Sequence, residues 1–154
     1  MRQLPICAGL FFLFTCFWLF SCNPSVSEQQ DSSVLPDSLK TAQCIKEVFA
    51  LDDSLGSVRN HACESIPLSE TIINYTTALK SLNYQQCPKA FAQAFNTHWK
   101  AWDEMIPVVN KYPDLRGEMH DLFDQIEKGP DSSTFKIKLK AIWDTWAIVE
   151  QSSN

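Results

Sequence analysis

The chain of 154 residues carries 13 Lys+Arg against 18 Asp+Glu, a formal net charge of −5. An acidic chain without a basic cluster excludes nucleic acid as an expected partner, and it excludes electrostatic docking on anionic lipid. With four glycines in all, no Gly-x-Ser-x-Gly and no glycine-rich phosphate loop, the parts of a nucleophilic or phosphoryl-transfer site are missing, so no enzyme is expected.

Arg2 is followed by an apolar run from Ile6 to Phe20, which ends Leu19-Phe20-Ser21-Cys22. A short basic start, an apolar middle and a small residue before the break are the parts of a secretory signal peptide. The last four residues resemble the lipobox of bacterial lipoproteins. That resemblance implies removal of residues 1–21, diacylglyceryl modification of the Cys22 thiol and acylation of the new amine. Cys22 then attaches an exported protein to a bacterial membrane: the outer membrane, where the host has one, on its periplasmic or surface face. An uncleaved spanning anchor is the alternative, but Pro5 shortens the run and no basic stop-transfer cluster follows Cys22. Loss of Arg2 takes the net charge from −5 to −6, so the acyl chains must hold the membrane, each buried CH₂ contributing ~0.8 kcal/mol. The resemblance covers the leader alone.

Residues 22–37, the lipidated Cys and then a stretch rich in Ser, Gln, Pro and acid, read as a flexible tether with almost nothing to bury. Residues 38–150 read as one domain, large enough for a single hydrophobic core, and residues 151–154 as a disordered tail. Asp37 or Ser38 can cap a first helix, on which Cys44, Val48, Leu51, Leu55, Val58 and Ala62 recur at steps of four and three, with a break expected near Gly56. Pro67 ends that run, and Leu68, Ile72, Tyr75, Leu79 and Leu82 mark a second helix, antiparallel to the first across a short connection. After Pro88, the stripe Phe91, Phe95, His98, Trp102, Met105 and Val109 is the strongest helical pattern in the chain, with Pro107 expected to kink or end it. Beyond the turn Tyr112-Pro113-Asp114, a fourth helix is expected to begin near Asp114 and to bury Leu115, Met119, Leu122, Phe123 and Ile126. Gly129-Pro130 stops it. Ser132 or Ser133 caps a last helix striped by Phe135, Leu139, Ile142, Trp146 and Val149. No strand alternation is sustained anywhere, so the fold class is all-α, an antiparallel bundle of four to five helices.

Cys7 and Cys16 leave with the leader and Cys22 is committed to lipid, so Cys44, Cys63 and Cys87 remain. An oxidising compartment suggests one disulfide and one leftover thiol. With helix one rising to about residue 64 and helix two descending from about residue 68, the helical rise of ~1.5 Å per residue places Cys87 level with Cys44. Cys63 then lies at the far end, out of the ~7 Å Cα reach of a disulfide. The expected bond is Cys44–Cys87.

His98, on an apolar stripe three residues after Phe95 and four before Trp102, is a candidate ligand-binding imidazole. Without Cys-x-x-Cys-His there is no covalent haem. His61, Cys63 and Glu64 do not share one helical face, and no Glu-x-x-His pair occurs, so no metal and no cofactor are expected. Trp99 with Trp102, and Trp143 with Trp146, are pairs one helical turn apart. Most such aromatics are core, but one of each pair, Trp99 and Trp143, is the candidate to face outward and mark a partner or ligand surface. Lys111 to Glu118 reads as a polar turn with local ion pairs. The expectation is therefore a lipid-anchored module that binds an envelope protein or serves a structural role. Its alternative is a bundle that takes a small ligand, or a haem or metal, near His98 and the tryptophan pairs.

Overall fold

The computed structural model describes residues 36–153. The leader, Cys22 and the tether up to residue 35 lie outside them. Among the described residues the fold is all-α, with helices α1 (Asp37–Ala62), α2 (Leu68–Ser81), α3 (Lys89–Asp103), α4 (Ile106–Val109), α5 (Met119–Glu127) and α6 (Ser132–Gln151), and one 3₁₀ turn at Tyr84–Gln86. None of these helices is long and apolar enough to cross a membrane.

Prolines set several boundaries. Pro36, Pro67 and Pro88 each sit at the N-cap of a helix with extended backbone, where a missing N–H costs nothing. Pro107 ends α3 early. Its ring cannot share a helix with the carbonyl four residues back, and α3 stops at that residue, Asp103, before Pro107 enters the first turn of α4.

Contacts across the helices give the topology. Cys44 meets Cys87 with a Cα–Cα distance of 5.4 Å, while Asp52 farther up α1 meets Tyr75 farther back on α2. One residue number rises as the other falls, so α1 and α2 run antiparallel. The same holds for α2 and α3, through Tyr75 on Trp102 and Tyr84 on Phe95. It holds again for α3 and α6, through His98 on Thr145 and Glu104 on Lys138. The fully buried residues Phe91, Phe95, Phe135, Leu68, Ile72, Leu79, Leu122, Ile126 and Ile142 fill the core between them. A fully buried side chain of this size contributes ~1.5–3 kcal/mol.

Four boundaries differ from the sequence reading, the first being the α1 N-cap, which is Pro36 and not Asp37 or Ser38. The fourth helix begins at Met119, not near Asp114. The preceding segment is instead drawn across the α1–α2 connection, where the Leu68 N–H donates to the Leu115 carbonyl and the Gly117 N–H to the Cys63 carbonyl, both at 2.9 Å. Gly117 takes φ 146° to turn out of that path, a conformation that favours glycine. Glu118 then caps α5, its carboxylate accepting from the N–H groups of His120 and Asp121. In α6 neither Ser132 nor Ser133 is the cap, because Asp131 occupies that position. Gln151 to Ser153, expected as a disordered tail, instead complete the last turn, with the Ser152 hydroxyl donating to the Val149 carbonyl at 2.8 Å.

Helix α1 also departs from expectation. It runs unbroken through Gly56. Of its apolar stripe only Val48 is fully buried, while Leu51 is 48% exposed and Val58 63%. The face turned to α3 and α6 is the neighbouring one, which starts with Ile45 and Phe49, passes through Asp52, Gly56 and Arg59, and ends at Cys63. Phe49 packs edge-on against Phe91 of α3 and Trp146 of α6, with ring centroids 5.5 and 5.7 Å apart. Both stripes have helical spacing, and aromatic packing by Phe49 decides between them.

Cys44 and Cys87 form a disulfide that ties α1 to the start of α3, and Cys63 is a buried free thiol. Burial raises the Cys63 pKa, which makes the thiol inert. Cys44→Ser with Cys87→Ser, opening a loop of 43 residues, is expected to lower the unfolding free energy by about 3–4 kcal/mol in the chain-entropy model. Urea unfolding with and without reductant reads this loss. Cys63 should stay unreactive toward a thiol reagent until the protein unfolds.

Candidate functional site

The polar face of α1 does not close against the bundle. It forms one wall of an open cleft of about 370 Å³, whose other walls are Tyr75 of α2, His98 and Trp102 of α3, and Trp143 and Trp146 of α6. That volume lies at the lower end of the range for small-molecule sites. Gly56, on the α1 wall, has only Arg59 Nη2 near its missing side chain, at 3.9 Å, so the wall is low there.

Arg59 is the centre of the cleft. Its guanidinium carbon stands 4.4 Å from the ring centroid of Tyr75 and 4.4 Å from that of Trp102, and these two rings meet edge to face with centroids 5.1 Å apart, so the cation sits in the angle between two adjacent aromatic rings. Nε and Nη2 donate to the Asn60 Oδ1 at 3.2 and 3.0 Å. Among the described residues no carboxylate lies within the 4.0 Å of an ion pair with Arg59. Burial lowers its pKa, with Tyr75 and Asp52 opposing, and a guanidinium so far above neutrality stays charged. Asp52, two turns earlier on the same face, accepts from the Tyr75 hydroxyl at 3.0 Å. Burial pushes the Asp52 pKa up, against the Tyr75 hydrogen bond and the Arg59 charge. Tyr75 thus touches both charges, its hydroxyl donating to the carboxylate and its ring lying against the cation.

His98 is buried, with its Nδ1 3.1 Å from Thr145 Oγ1. The Thr145 hydroxyl itself lies 2.8 and 2.9 Å from the Ala141 and Ile142 carbonyls and donates back into its own helix. Its oxygen must then accept from His98, which assigns the proton to Nδ1 and leaves Nε2 as an acceptor. Burial, assisted by the Arg59 charge and opposed by a hydrogen bond to the Ile142 backbone, lowers the His98 pKa from 6.5 to about 4. The imidazole is neutral at physiological pH.

The tryptophans divide. Trp143 is 63% exposed and stands at the mouth of the cleft. Trp146 is half-buried, its ring 5.1 Å from that of His98, and its indole N–H donates to Glu150 at 3.0 Å. Trp102 is buried beneath Arg59. Trp99 does not belong to the cleft. Its indole N–H donates to the Tyr84 hydroxyl at 2.9 Å, which fixes it half-buried on another face of α3, so the outward position expected of it is not taken. Asp52, Arg59 and Tyr75 were not singled out by the sequence reading. Two charged residues seven apart on one helical face were the available signal, masked by the apolar stripe beside them. Among the described residues no three His, Cys, Asp or Glu side chains gather where a metal could be held.

Comparison of the chain with protein-family models, with curated proteins and with solved structures returns no match.

The neutral His98 has a consequence for acid stability. In the unfolded chain an imidazole binds its proton below about 6.5, and in the folded protein only below about 4. Between these values the unfolded chain holds more protons, so stability is lost as pH falls through that window, by an amount on the order of 3 kcal/mol. Asp52, whose pKa is raised on folding, works in the opposite sense at lower pH. The thermal midpoint should fall steeply from about pH 6.5 to about pH 4, and the fall should flatten in His98→Asn, whose amide N–H can replace Nδ1–H toward Thr145.

Proposed function

We propose that this is an exported lipoprotein, anchored through Cys22, whose helical domain is a non-enzymatic binding module with the cleft as its recognition surface. The observation that carries the reading is the half-buried Arg59 cation, set against two aromatic rings without a carboxylate partner, in a cleft open to solvent. Exposed Trp143 and half-buried Trp146 add the apolar contact area typical of binding hot spots. The acidic tether before Asp37 supports the anchored arrangement, since a solvated spacer lets a domain work away from the membrane. A second reading, a module that binds an envelope protein, is favoured by a different observation: Val58, on the same α1 stripe as exposed Leu51, is itself exposed and lines an apolar groove with Ile66 and Ala78.

The anchor is tested by intact mass of the membrane-extracted protein beside a Cys22→Ala variant. The expected species starts at Cys22 and carries acyl mass that the variant lacks. A full-length unacylated mass would overturn the anchor.

The recognition surface is tested by titrating the protein with a library of small polar aromatic fragments and following backbone and indole N–H shifts. Shifts gathered on Trp143, Trp146 and Arg59 are the expected outcome. Shifts gathered on Leu51, Val58 and Ala78 would move the binding surface to the α1–α2 groove.

A further inference from the structure

The charges of the cleft specify its ligand more narrowly. Arg59 and Asp52 are opposite charges on one helical face, seven residues apart, which at ~1.5 Å rise per residue is beyond the three- and four-residue spacings at which helical charges pair. Tyr75 lies against both, its hydroxyl on Asp52 and its ring on Arg59. A ligand carrying only an anion would meet Arg59 but also Asp52 and the neighbouring Asp53, which lines the same wall. A ligand carrying only a cation would meet Arg59 as a like charge. A neutral ligand that covered the cleft would take both charges out of water and return nothing to either, which is costly. A molecule with both charges a few ångströms apart satisfies both.

We propose that the cleft binds a small zwitterion of the α-amino-acid type with a planar apolar side chain. The proposal rests on the cleft being the binding surface. The carboxylate takes the N–H donors of Arg59 that Asn60 leaves open. The ammonium group lies toward Asp52, where His98 Nε2 is a further acceptor. The side chain lies against Trp143 and Trp146, one turn apart on α6. Because contacts with Tyr75 and Trp102 and the hydrogen bonds to Asn60 already fix the guanidinium, little side-chain entropy is lost when the carboxylate arrives.

The test uses the full-length protein in detergent with three probes of one shape: L-phenylalanine, 3-phenylpropionate, which lacks the ammonium, and phenethylamine, which lacks the carboxylate. Affinities come from calorimetry and the site from the indole shifts of Trp143 and Trp146. L-Phenylalanine is expected to bind at least about tenfold more tightly than either single-charge analogue. Asp52→Asn keeps an oxygen for the Tyr75 hydroxyl and removes the charge, so it should weaken L-phenylalanine while strengthening 3-phenylpropionate. This change of preference does not depend on the stability of the variant. Equal binding of L-phenylalanine and either analogue overturns the zwitterion. So does the absence of indole shifts with all three probes. If the polar aromatic fragments still gather on the cleft in those cases, the binding surface stands and only its ligand class is lost. If they do not, both fall.

Discussion

A cation set in the angle of two aromatic rings marks where three helices meet. Arg59 belongs to α1, Tyr75 to α2 and Trp102 to α3, and the guanidinium lies 4.4 Å from both rings. Cation–π contacts of this kind contribute ~0.5–2 kcal/mol each, more as water is excluded. Their geometric effect is larger than their energy suggests. With Arg59 in the seam, the upper half of α1 cannot press its backbone onto α3 and α6 as α3 and α6 press on one another. The lower half closes through Phe49, and the upper half stays open. The cleft is thus a consequence of putting a planar charged side chain where a leucine would have sealed the bundle.

Most of the fold was legible because the helices that make the core are written in one pattern each. Phe91, Phe95, His98, Trp102, Met105 and Val109 are all buried, a helical spacing that runs through α3 and on into α4, and the prolines at 36, 67 and 88 stand where helices start. The approach of Cys44 to Cys87 followed from helical rise and the shortness of the α1–α2 connection, both of which are local. The segment from Lys111 to Glu118 was not legible for the opposite reason. Its path is set by hydrogen bonds to Cys63 and Leu68, some fifty residues earlier, and a window of sequence contains no trace of that pairing. Tertiary hydrogen bonds of this kind override the local preference to start a helix at an Asp after a turn.

The cleft was half legible. His98 and the pair Trp143 and Trp146 stood out as residue types that carry chemistry, and they do share one wall system with Trp102. Their partners on α1 did not, because α1 carries two stripes of equal spacing and the more apolar one was read as the buried face. The structure turns the half-buried stripe of Phe49, Asp52 and Arg59 toward the bundle and leaves Leu51 and Val58 to solvent. Binary patterning assumes that the most apolar face is the inner face. It misreads a helix whose inner face has been given over to charged groups.

The position of the disulfide along α1 has a mechanical meaning. The bond joins Cys44, near the beginning of a helix that starts at Asp37, to Cys87, just ahead of α3. A pull arriving from the chain before Pro36 can unwind only the few residues up to Cys44. Beyond that point the force crosses the sulfur–sulfur bond into the base of α3, which is packed along α2 and α6. The part of α1 that carries Asp52 and Arg59 is bypassed. Tension on the N-terminal side of this domain therefore leaves the cleft unloaded.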